Sequence, residues 1–208
     1  MAGSHPLFAA VYDRLSRSTE QSYMAEHRRL LLSAAGGDVL ELGAGTGANL
    51  AHYPDAVSAV TATEPDPAMR RRLLRKPMAG RPVVVVDAAA ERLPFQDASF
   101  DTVVTTLVLC SVDDQAAALS EARRVMRAHG RLLFIEHVAA PGRAGRWQRR
   151  LQPVYGRLAA GCHLHRDSER AIINAGFRIE SIDRFIPPGA TGRLFPHIQG
   201  VAVPVRSP

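Results

Sequence analysis

The chain has 208 residues, of which 46% are hydrophobic and 22% are charged, which is enough apolar material for one folded domain. This composition excludes a disordered, collagen-like or repeat protein. Two cysteines exclude a disulfide framework and favour a reducing compartment. No apolar run reaches the roughly 18–20 residues of a membrane span, and the first residues lack the features of a signal peptide. We therefore expect a cytoplasmic protein.

The formal net charge of +6 and the pI of about 10.1 permit a nucleic acid, an anionic membrane or an acidic substrate as partner. Lys76 is the only lysine among the 26 lysine and arginine residues. So complete a preference for arginine is more typical of coding composition than of a binding surface. Because the sequence also contains no recognisable accessory RNA-binding segment, we expect no nucleic-acid partner.

Helical and extended segments alternate as far as His137. In chain order, the sequence predicts helices within 1–35 that end at Gly36-Gly37, strand Asp38–Leu42, a glycine-rich turn, strand Val57–Thr63, helix Ala68–Lys76, strand Val83–Asp87, a short helix Ala88–Arg92, strand Phe100–Leu109, helix Gln115–Arg127 and strand Arg131–His137. Strands alternating with helices at this spacing are typical of an α/β fold with a parallel sheet and helices on both faces.

The rhythm changes after His137. The sequence predicts a loop and a basic helix within 139–165, helix Asp167–Ala175, strand Phe177–Ile186 and a last strand near Pro196–Pro204. Since neither a repeat nor a flexible linker divides the chain, we predict a single domain over residues 1–208.

The glycine-rich turn follows the first strand of the predicted sheet, where parallel sheets bind their ligands. Its glycines, Gly43, Gly45 and Gly47, allow positive φ and a close approach of ligand to backbone. Taken alone, the turn is ambiguous, because Gly43-x-Gly45-x-x-Ala48 also satisfies the pattern of a dinucleotide-binding loop.

Two carboxylates near this turn indicate the kind of ligand. Glu41 lies two residues before Gly43, where it would repel a pyrophosphate but not a cation. Glu64 ends the second strand, where an acid can accept both hydrogen bonds of a ribose diol. Together they favour a nucleoside with a positive amino or sulfonium group and no phosphate, and S-adenosylmethionine is such a molecule.

Several segments resemble the class I S-adenosylmethionine-dependent methyltransferases. They are Glu41–Gly47, which resembles motif I of that class; Glu64-Pro65, which matches the acid closing the second strand; 91–101, which resembles the LPF…FD segment; and 125–131, which resembles the turn before the fifth strand. The resemblance implies a Rossmann-like sheet of seven strands, mostly parallel, with an antiparallel last strand.

A narrower resemblance, to the alkyl thiol S-methyltransferases, rests on 106–112, 136–141, 161–164 and 196–200. It implies methyl transfer to a thiol sulfur. The mammalian members carry an N-terminal membrane anchor that we do not expect here. Small lipid-amine, phenol and quinone methyltransferases share the core motifs, so those acceptors stay open. More remote alternatives are a nicotinamide-dependent oxidoreductase, which only the glycine pattern favours, and a nucleic-acid-binding module, which only the charge favours.

The resemblance implies a set of cofactor-binding residues at the carboxyl edge of the sheet. The set comprises Tyr12, Glu41, Gly43, Ala44, Gly45, Gly47, Glu64, Pro65, Ala89, Ala90, Glu91, Thr106 and Leu107. One position departs from the family: Ala88-Ala89-Ala90 replaces the usual Gly-Asp-Ala, so we expect backbone rather than an aspartate to hold the adenine. The helices of 1–35 are expected to cap the cofactor, and 139–165 is expected to cap the acceptor pocket.

Methyl transfer to a thiol needs a base, because the thiolate is the nucleophile. His137 ends the fifth strand at the ligand edge, and an imidazole titrates near neutral pH, so we predict that His137 is the catalytic base. Cys162-His163-Leu164-His165 is not a complete ligand set, and we predict no metal. Cys110 is predicted to be a small apolar filler.

The basic helix within 142–158 permits two interpretations. Arginines alternate there with Trp147, Leu151, Val154, Tyr155 and Leu158. Either the helix lies on a membrane surface, or it packs on the sheet and keeps its arginines in water. We favour packing and retain peripheral membrane contact as the alternative.

Overall fold

The computed structural model describes residues 23–76, 80–158, 161–189 and 191–205. Tyr12 and most of the predicted N-terminal helices lie outside the described residues. The strands are β1 (Gly37–Leu42), β2 (Val57–Thr63), β3 (Val83–Val86), β4 (Phe100–Thr106), β5 (Met126–His137), β6 (Phe177–Phe185) and β7 (His197–Pro204). The helices are α1 (Ala25–Leu32), α2 (Pro67–Leu73), α3 (Gln115–Val125), α4 (Gly142–Leu158) and α5 (Ser168–Asn174), with 3₁₀ turns at Leu50–His52 and Gly192–Leu194.

Within the described residues, seven strands form one sheet in the order β3-β2-β1-β4-β5-β7-β6. The pairs among β1 to β5 are parallel, and β7 lies antiparallel between β5 and β6. The strand order reverses between β1 and β4, so the loops after these strands open a crevice at the carboxyl edge. The predicted α/β fold, including its antiparallel last strand, is confirmed.

Apolar residues alternate between the two faces of the central strands. Those facing α3 and α5 include Leu40, Val103, Leu132 and Phe134. Those facing α1 include Val39, Val104, Leu133 and Ile135. Because both faces are covered, these strands have continuous apolar sequences, as central strands of parallel sheets do.

One predicted helix and one predicted strand end differ from the structure. The predicted helix 88–92 is a turn in the structure. The fourth strand ends at Thr106 rather than Leu109, because Leu107 adopts φ +59°, which no strand residue can have.

The predicted boundary between the helix Gln115–Arg127 and the fifth strand also differs. Helix α3 ends at Val125, and β5 begins at Met126. Phe100 pairs with Met126 and Thr102 with Arg131, so 127–130 bulge out of the ladder. The Asp101 carboxylate accepts hydrogen bonds from Arg127 and from the Asp38 backbone N–H, so it holds this bulge against the start of β1.

Aspartates begin three of the helices, two of them on loops at the carboxyl edge. Asp66 accepts hydrogen bonds from Ala68 N and Met69 N at the start of α2, and Asp114 does the same from Ala116 N and Ala117 N for α3. Asp167 caps α5 through Arg170 N. Such N-caps fix where a helix begins and typically contribute about 1 kcal/mol each.

Helix α4 is fastened to the domain by two glutamines one turn apart. Gln148 is fully buried; it accepts from Ala140 N at 2.7 Å and donates to the Val138 and Leu194 carbonyls at 3.3 and 3.1 Å. Gln152 donates to the Cys162 carbonyl at 3.0 Å and accepts from Leu164 N at 2.7 Å. The inner face of the helix therefore binds three loops through polar contacts.

Candidate functional site

The glycine turn forms an open cradle between β1 and the 3₁₀ turn. Gly43, Gly45 and Gly47 have φ of +56°, +57° and +82°, a region that residues with a Cβ adopt only at a cost. A Cβ on Gly43 would lie 2.9 Å from Val108 Cγ2, and one on Gly47 would lie 2.7 Å from Leu73 Cδ1, whereas one on Gly45 would meet nothing within 4 Å. Gly45 is therefore where a ligand can approach the backbone.

Glu64 is bound to the same cradle. Its Oε2 accepts a hydrogen bond from Gly45 N at 2.8 Å, and its Oε1 accepts one from Asp66 N at 2.8 Å. Each carboxylate oxygen accepts about two hydrogen bonds, so one site on each remains for a ligand diol. Burial raises the pKa of Glu64, and the two backbone N–H donors oppose that shift.

Glu41 is more enclosed than its sequence position suggests. It is 2% exposed, and its carboxylate accepts from Asn49 Nδ2 at 3.0 Å and from the Tyr53 hydroxyl at 2.8 Å. Asn49 also donates to Thr106 Oγ1 at 3.0 Å and accepts from Arg28 at 2.7 Å. Burial raises the pKa of Glu41 to about 7, although Tyr53 and Arg28 oppose the shift.

This network joins the ends of β1 and β4 to α1. Asn49 could have been found from the sequence, since it lies two residues after Gly47 inside the recognised turn. Nothing in the sequence pattern singles out Arg28 or Tyr53, because their contacts with the network depend on tertiary packing.

The segment after β3 runs along the same edge. Asp87 is exposed and pairs with Arg70 at 2.7 Å. Ala90 is buried and Ala89 is half-buried. Glu91 accepts from Asp113 N at 2.9 Å, so its carboxylate orders the loop that leads into α3.

Leu107 lies at the carboxyl end of β4, between the glycine turn and the end of β5. Its φ of +59° costs a non-glycine residue roughly 1–2 kcal/mol, and strain of this kind is concentrated at functional sites. Its N–H still bonds the Ile135 carbonyl at 2.8 Å. The chain therefore turns sharply between Thr106 and Val108 while it stays attached to β5.

Glu136 holds the rest of this turn. It is fully buried and accepts hydrogen bonds from Val108 N and Cys110 N, both at 3.2 Å. Burial raises the pKa of Glu136 to about 7, and the backbone donors oppose the shift. Its function here is to satisfy buried backbone N–H groups that would otherwise be unpaired.

His137 follows on β5, and its side chain is 3% exposed. Its Nδ1 lies 3.9 Å from Cys162 Sγ, whereas Nε2 has no hydrogen-bond partner among the described residues. The Phe195 and His197 rings lie 5.6 and 5.5 Å from its own. Burial and the nearby His137 lower the pKa of His197 to about 3, so His197 is a neutral lining residue at physiological pH.

Cys162 lies beside this histidine. The neighbouring thiol of Cys110, together with His137 and His163, lowers the pKa of Cys162, whereas Cys162, burial and Glu136 raise the pKa of Cys110. Cys110 is buried, as expected of a filler. Within the described ranges, no group of three or more histidine, cysteine or acidic side chains is arranged to hold a metal ion.

The structure thus brings the predicted residues into two neighbouring groups. Glu41, the glycine turn, Glu64 and Thr106 are joined by hydrogen bonds at the ends of β1, β2 and β4. His137 lies at the end of β5, one strand further. The contact between Cys162 and His137 was not predicted, because no pattern in the sequence relates a loop after α4 to the end of β5.

Comparisons with known proteins are consistent with this arrangement. A family model described as a methyltransferase domain matches residues 40–134. The thiol S-methyltransferase TMT1B of Homo sapiens is 38% identical over 180 residues, covering 83% of this chain and 73% of that protein. The thiol S-methyltransferase TMT1A of Homo sapiens is 33% identical over 202 residues, covering 94% and 82%.

Among solved structures, a SAM-dependent methyltransferase of Thermotoga maritima, described as a possible histamine N-methyltransferase, matches with a TM-score of 0.69. Its sequence identity is 22%, and the match covers 94% of this chain and 97% of that one. At this identity the likeness shows a shared fold.

The buried carboxyl of Glu136 predicts a pH-dependent stability. Its pKa of about 7 in the folded protein lies above that of an exposed glutamate, so the folded state binds the proton more tightly than the unfolded state. Its contribution is therefore greatest below about pH 4.5 and is lost as the pH rises to about 7, by about 3 kcal/mol in all. Glu136→Gln cannot titrate, so its free energy of unfolding minus that of the wild type should rise by that amount over this range.

Urea denaturation at a series of pH values measures this difference. Glu180→Gln, at a partly exposed position on β6, is the matched control, and its difference should vary by less than about 1 kcal/mol. A difference for Glu136→Gln that is equally flat would contradict the raised pKa.

Proposed function

Since the chain belongs to the S-adenosylmethionine-dependent methyltransferases, in the family of the thiol S-methyltransferases, we propose that it methylates the sulfur of a small thiol. Family membership also resolves the ambiguity of the glycine turn in favour of a methyl donor over a nicotinamide dinucleotide. The observation that supports a thiol acceptor best is the buried imidazole of His137, whose Nε2 lacks a partner among the described residues.

The cradle fits the cofactor. S-adenosylmethionine supplies a methyl group that is already activated for displacement, so the protein mainly has to align the reactants and exclude water. The open side of Gly45 admits a ligand against the backbone, and the remaining acceptor sites of Glu64 suit the two ribose hydroxyls. Glu41 lies beneath the turn, and a bound cation would favour its carboxylate form over the protonated form that burial promotes.

We propose that main-chain groups, rather than a side chain, bind the adenine ring. The turn of Ala89 and Ala90 offers main-chain groups, while the carboxylates on either side are engaged with Arg70 and with the loop before α3. Thr106 and Leu107 would line the other side of the donor.

On the acceptor side, a base must remove the thiol proton, because the thiolate is the nucleophile. His137 Nε2 can take that proton when the ring is neutral. The rings of Phe195 and His197 lie beside His137, and Tyr155 lies beside Phe195. Since Nε2 is itself buried, little water reaches it, which favours neutralisation of a thiolate by a cationic methyl group.

We further propose that residues 139–165 cap the acceptor pocket and touch a membrane surface with their outer face. Trp147, Leu151 and Val154 are 52%, 40% and 63% exposed, although these apolar residues were expected to face the sheet. Four exposed arginines accompany them, namely Arg143, Arg146, Arg149 and Arg150. In the described part of the chain, no helix is long and apolar enough to span a membrane. An amphipathic helix with arginine and tryptophan outside suits an anionic lipid surface.

Glu64 provides a test of donor binding. Glu64→Gln keeps the size of the side chain but replaces charged acceptors, and it should raise the Kd for S-adenosylmethionine about 10–100-fold, as expected for losing hydrogen bonds to a charged group. Isothermal titration calorimetry measures the affinity, with Glu180→Gln as control. Unchanged affinity would remove Glu64 from the donor site.

His137 provides a test of the acceptor. Purified protein is screened with alkyl thiols, hydrogen sulfide, phenols and amines; we expect thiols to be methylated and His137→Gln to slow that reaction about 10²–10⁴-fold near neutral pH. The deficit should shrink as the pH approaches the pKa of the thiol, because more of the substrate is then already a thiolate in solution and needs no base. His129→Gln, at an exposed histidine on the same strand, should retain the wild-type rate.

Activity confined to phenols or amines would overturn the thiol assignment. A deficit in His137→Gln that does not change with pH would show that His137 does not act as the base. Both results are separable from failed donor binding, which calorimetry measures without an acceptor.

The outer face of α4 is tested with vesicles of phosphatidylcholine, with or without phosphatidylglycerol. The triple variant Trp147→Ser, Leu151→Ser and Val154→Ser should lower vesicle binding at least about tenfold, since each lost side chain removes apolar burial. Leu30→Ser, Val84→Ser and Ile173→Ser remove comparable exposed apolar residues elsewhere and should leave binding unchanged. Equal losses in both variants would contradict a specific membrane face.

A further inference from the structure

The loop between α4 and α5 places the thiol of Cys162 beside Nδ1 of His137, the ring nitrogen opposite the unpartnered Nε2. Cys162 Sγ lies 3.9 Å from Nδ1, and Nε2 is buried without a partner among the described residues. A neutral imidazole has one N–H donor and one acceptor nitrogen, and the partner of one nitrogen determines the role of the other. The partner of Nδ1 therefore determines whether Nε2 of His137 can accept a proton.

Backbone hydrogen bonds hold Cys162 where it is. Gln152 donates to its carbonyl at 3.0 Å, and the next residue, His163, donates its backbone N–H to the Cys110 carbonyl at 2.7 Å. Cys110 is itself positioned by Glu136. The thiol is thus tied on one side to α4 and on the other side to the turn after β4.

We propose that Cys162 is a positioning residue that accepts a hydrogen bond from His137 Nδ1–H and so keeps the Nε2 lone pair free for the acceptor thiol. This inference rests on the proposed function, in which His137 is the base. In the step it supports, the S–H bond of the substrate breaks, the proton goes to Nε2, and the electron pair stays on the substrate sulfur. Cys162 itself gains or loses no bond.

The charge of Cys162 supports this role. The neighbouring Cys110, His137 and His163 lower the pKa of Cys162, which favours its thiolate form, and a thiolate is a stronger acceptor than a thiol. A negative partner at Nδ1 also stabilises the imidazolium that forms when Nε2 takes a proton, as the buried aspartate does in serine proteases. The titratable groups that face the pair are Cys110, Glu136, Tyr155, His163 and His197.

The tautomer of His137 is measurable without any acceptor. In ¹⁵N-histidine-labelled protein, long-range ¹H–¹⁵N spectra distinguish Nδ1–H from Nε2–H, and His137→Gln assigns the resonance. We expect Nδ1–H in the wild type, a loss of that preference in Cys162→Ala, and its return in Cys162→Ser or Cys162→Asp, whose oxygens accept the hydrogen bond. His129→Gln, which removes an exposed histidine away from this pair, is the control and should keep the tautomer.

A double-mutant cycle tests whether Cys162 acts through His137. Cys162→Ala alone should lower kcat at least about tenfold, Cys162→Asp should recover most of that loss, and Cys162→Ala should add less than about twofold in the His137→Gln background. An Nε2–H tautomer in the wild type, or equal losses from Cys162→Ala in both backgrounds, would overturn the proposal. Because the spectra need no acceptor, a wrong thiol assignment would leave the tautomer result intact and would appear only in the acceptor screen.

Discussion

Buried carboxylates at the carboxyl ends of the strands hold the site together, since each satisfies polar groups that the loops around it cannot satisfy alone. Those carboxylates belong to Glu41, Glu64 and Glu136, and each binds backbone N–H groups or side chains of the loops at this edge. A buried N–H without an acceptor costs as much as a lost hydrogen bond or more. These hydrogen bonds consequently fix the loops without a ligand. They require carboxylates to be buried, and the same burial disfavours the charged forms of Glu41 and Glu136 and raises their pKa.

Much of the fold follows from patterns that local physics makes reliable. Strands buried on both faces need continuous apolar sequence, so the apolar stretch of β5 identifies a parallel sheet. The run of valines in β3 is different, because β3 lies at the edge of the sheet and its Val84 is exposed. The glycine turn is equally predictable from the sequence, because its three positive φ angles strongly favour glycine. The predicted helix at 88–92 failed for the opposite reason: alanines favour a helix, but five residues do not offset the cost of nucleating one, and tertiary contacts of Glu91 and Leu93 decide their conformation.

Only some of the candidate site residues could be predicted from the sequence, because some lie close together along the chain and others come from distant segments. The proposed donor half, from Glu41 to Glu64, lies within one strand–turn–strand unit, and its residue spacing carries the information. The proposed acceptor half is assembled from distant segments: His137 on β5, Cys162 after α4 and Phe195 before β7. The same holds for α4, where apolar side chains were expected inside and polar Gln148 lies there instead, since the loops beneath the helix present carbonyl and N–H groups rather than an apolar surface.

The two halves also divide the electrostatics of the reaction. In the proposed arrangement, acids lie beneath the donor cradle at β1 and β2, where their carboxylate forms suit a cation, whereas β5 offers an imidazole beside a thiol of lowered pKa, which suits a neutral acceptor that must lose a proton. Leu107 and the turn held by Glu136 separate the two regions. A carboxylate at the position of His137 would face a thiol with a far higher pKa than its own and would be a poor base, whereas a neutral imidazole can accept the proton. The proposed pairing of His137 with Cys162 is thus the feature of this edge on which deprotonation of the acceptor would depend, separately from binding of the methyl donor.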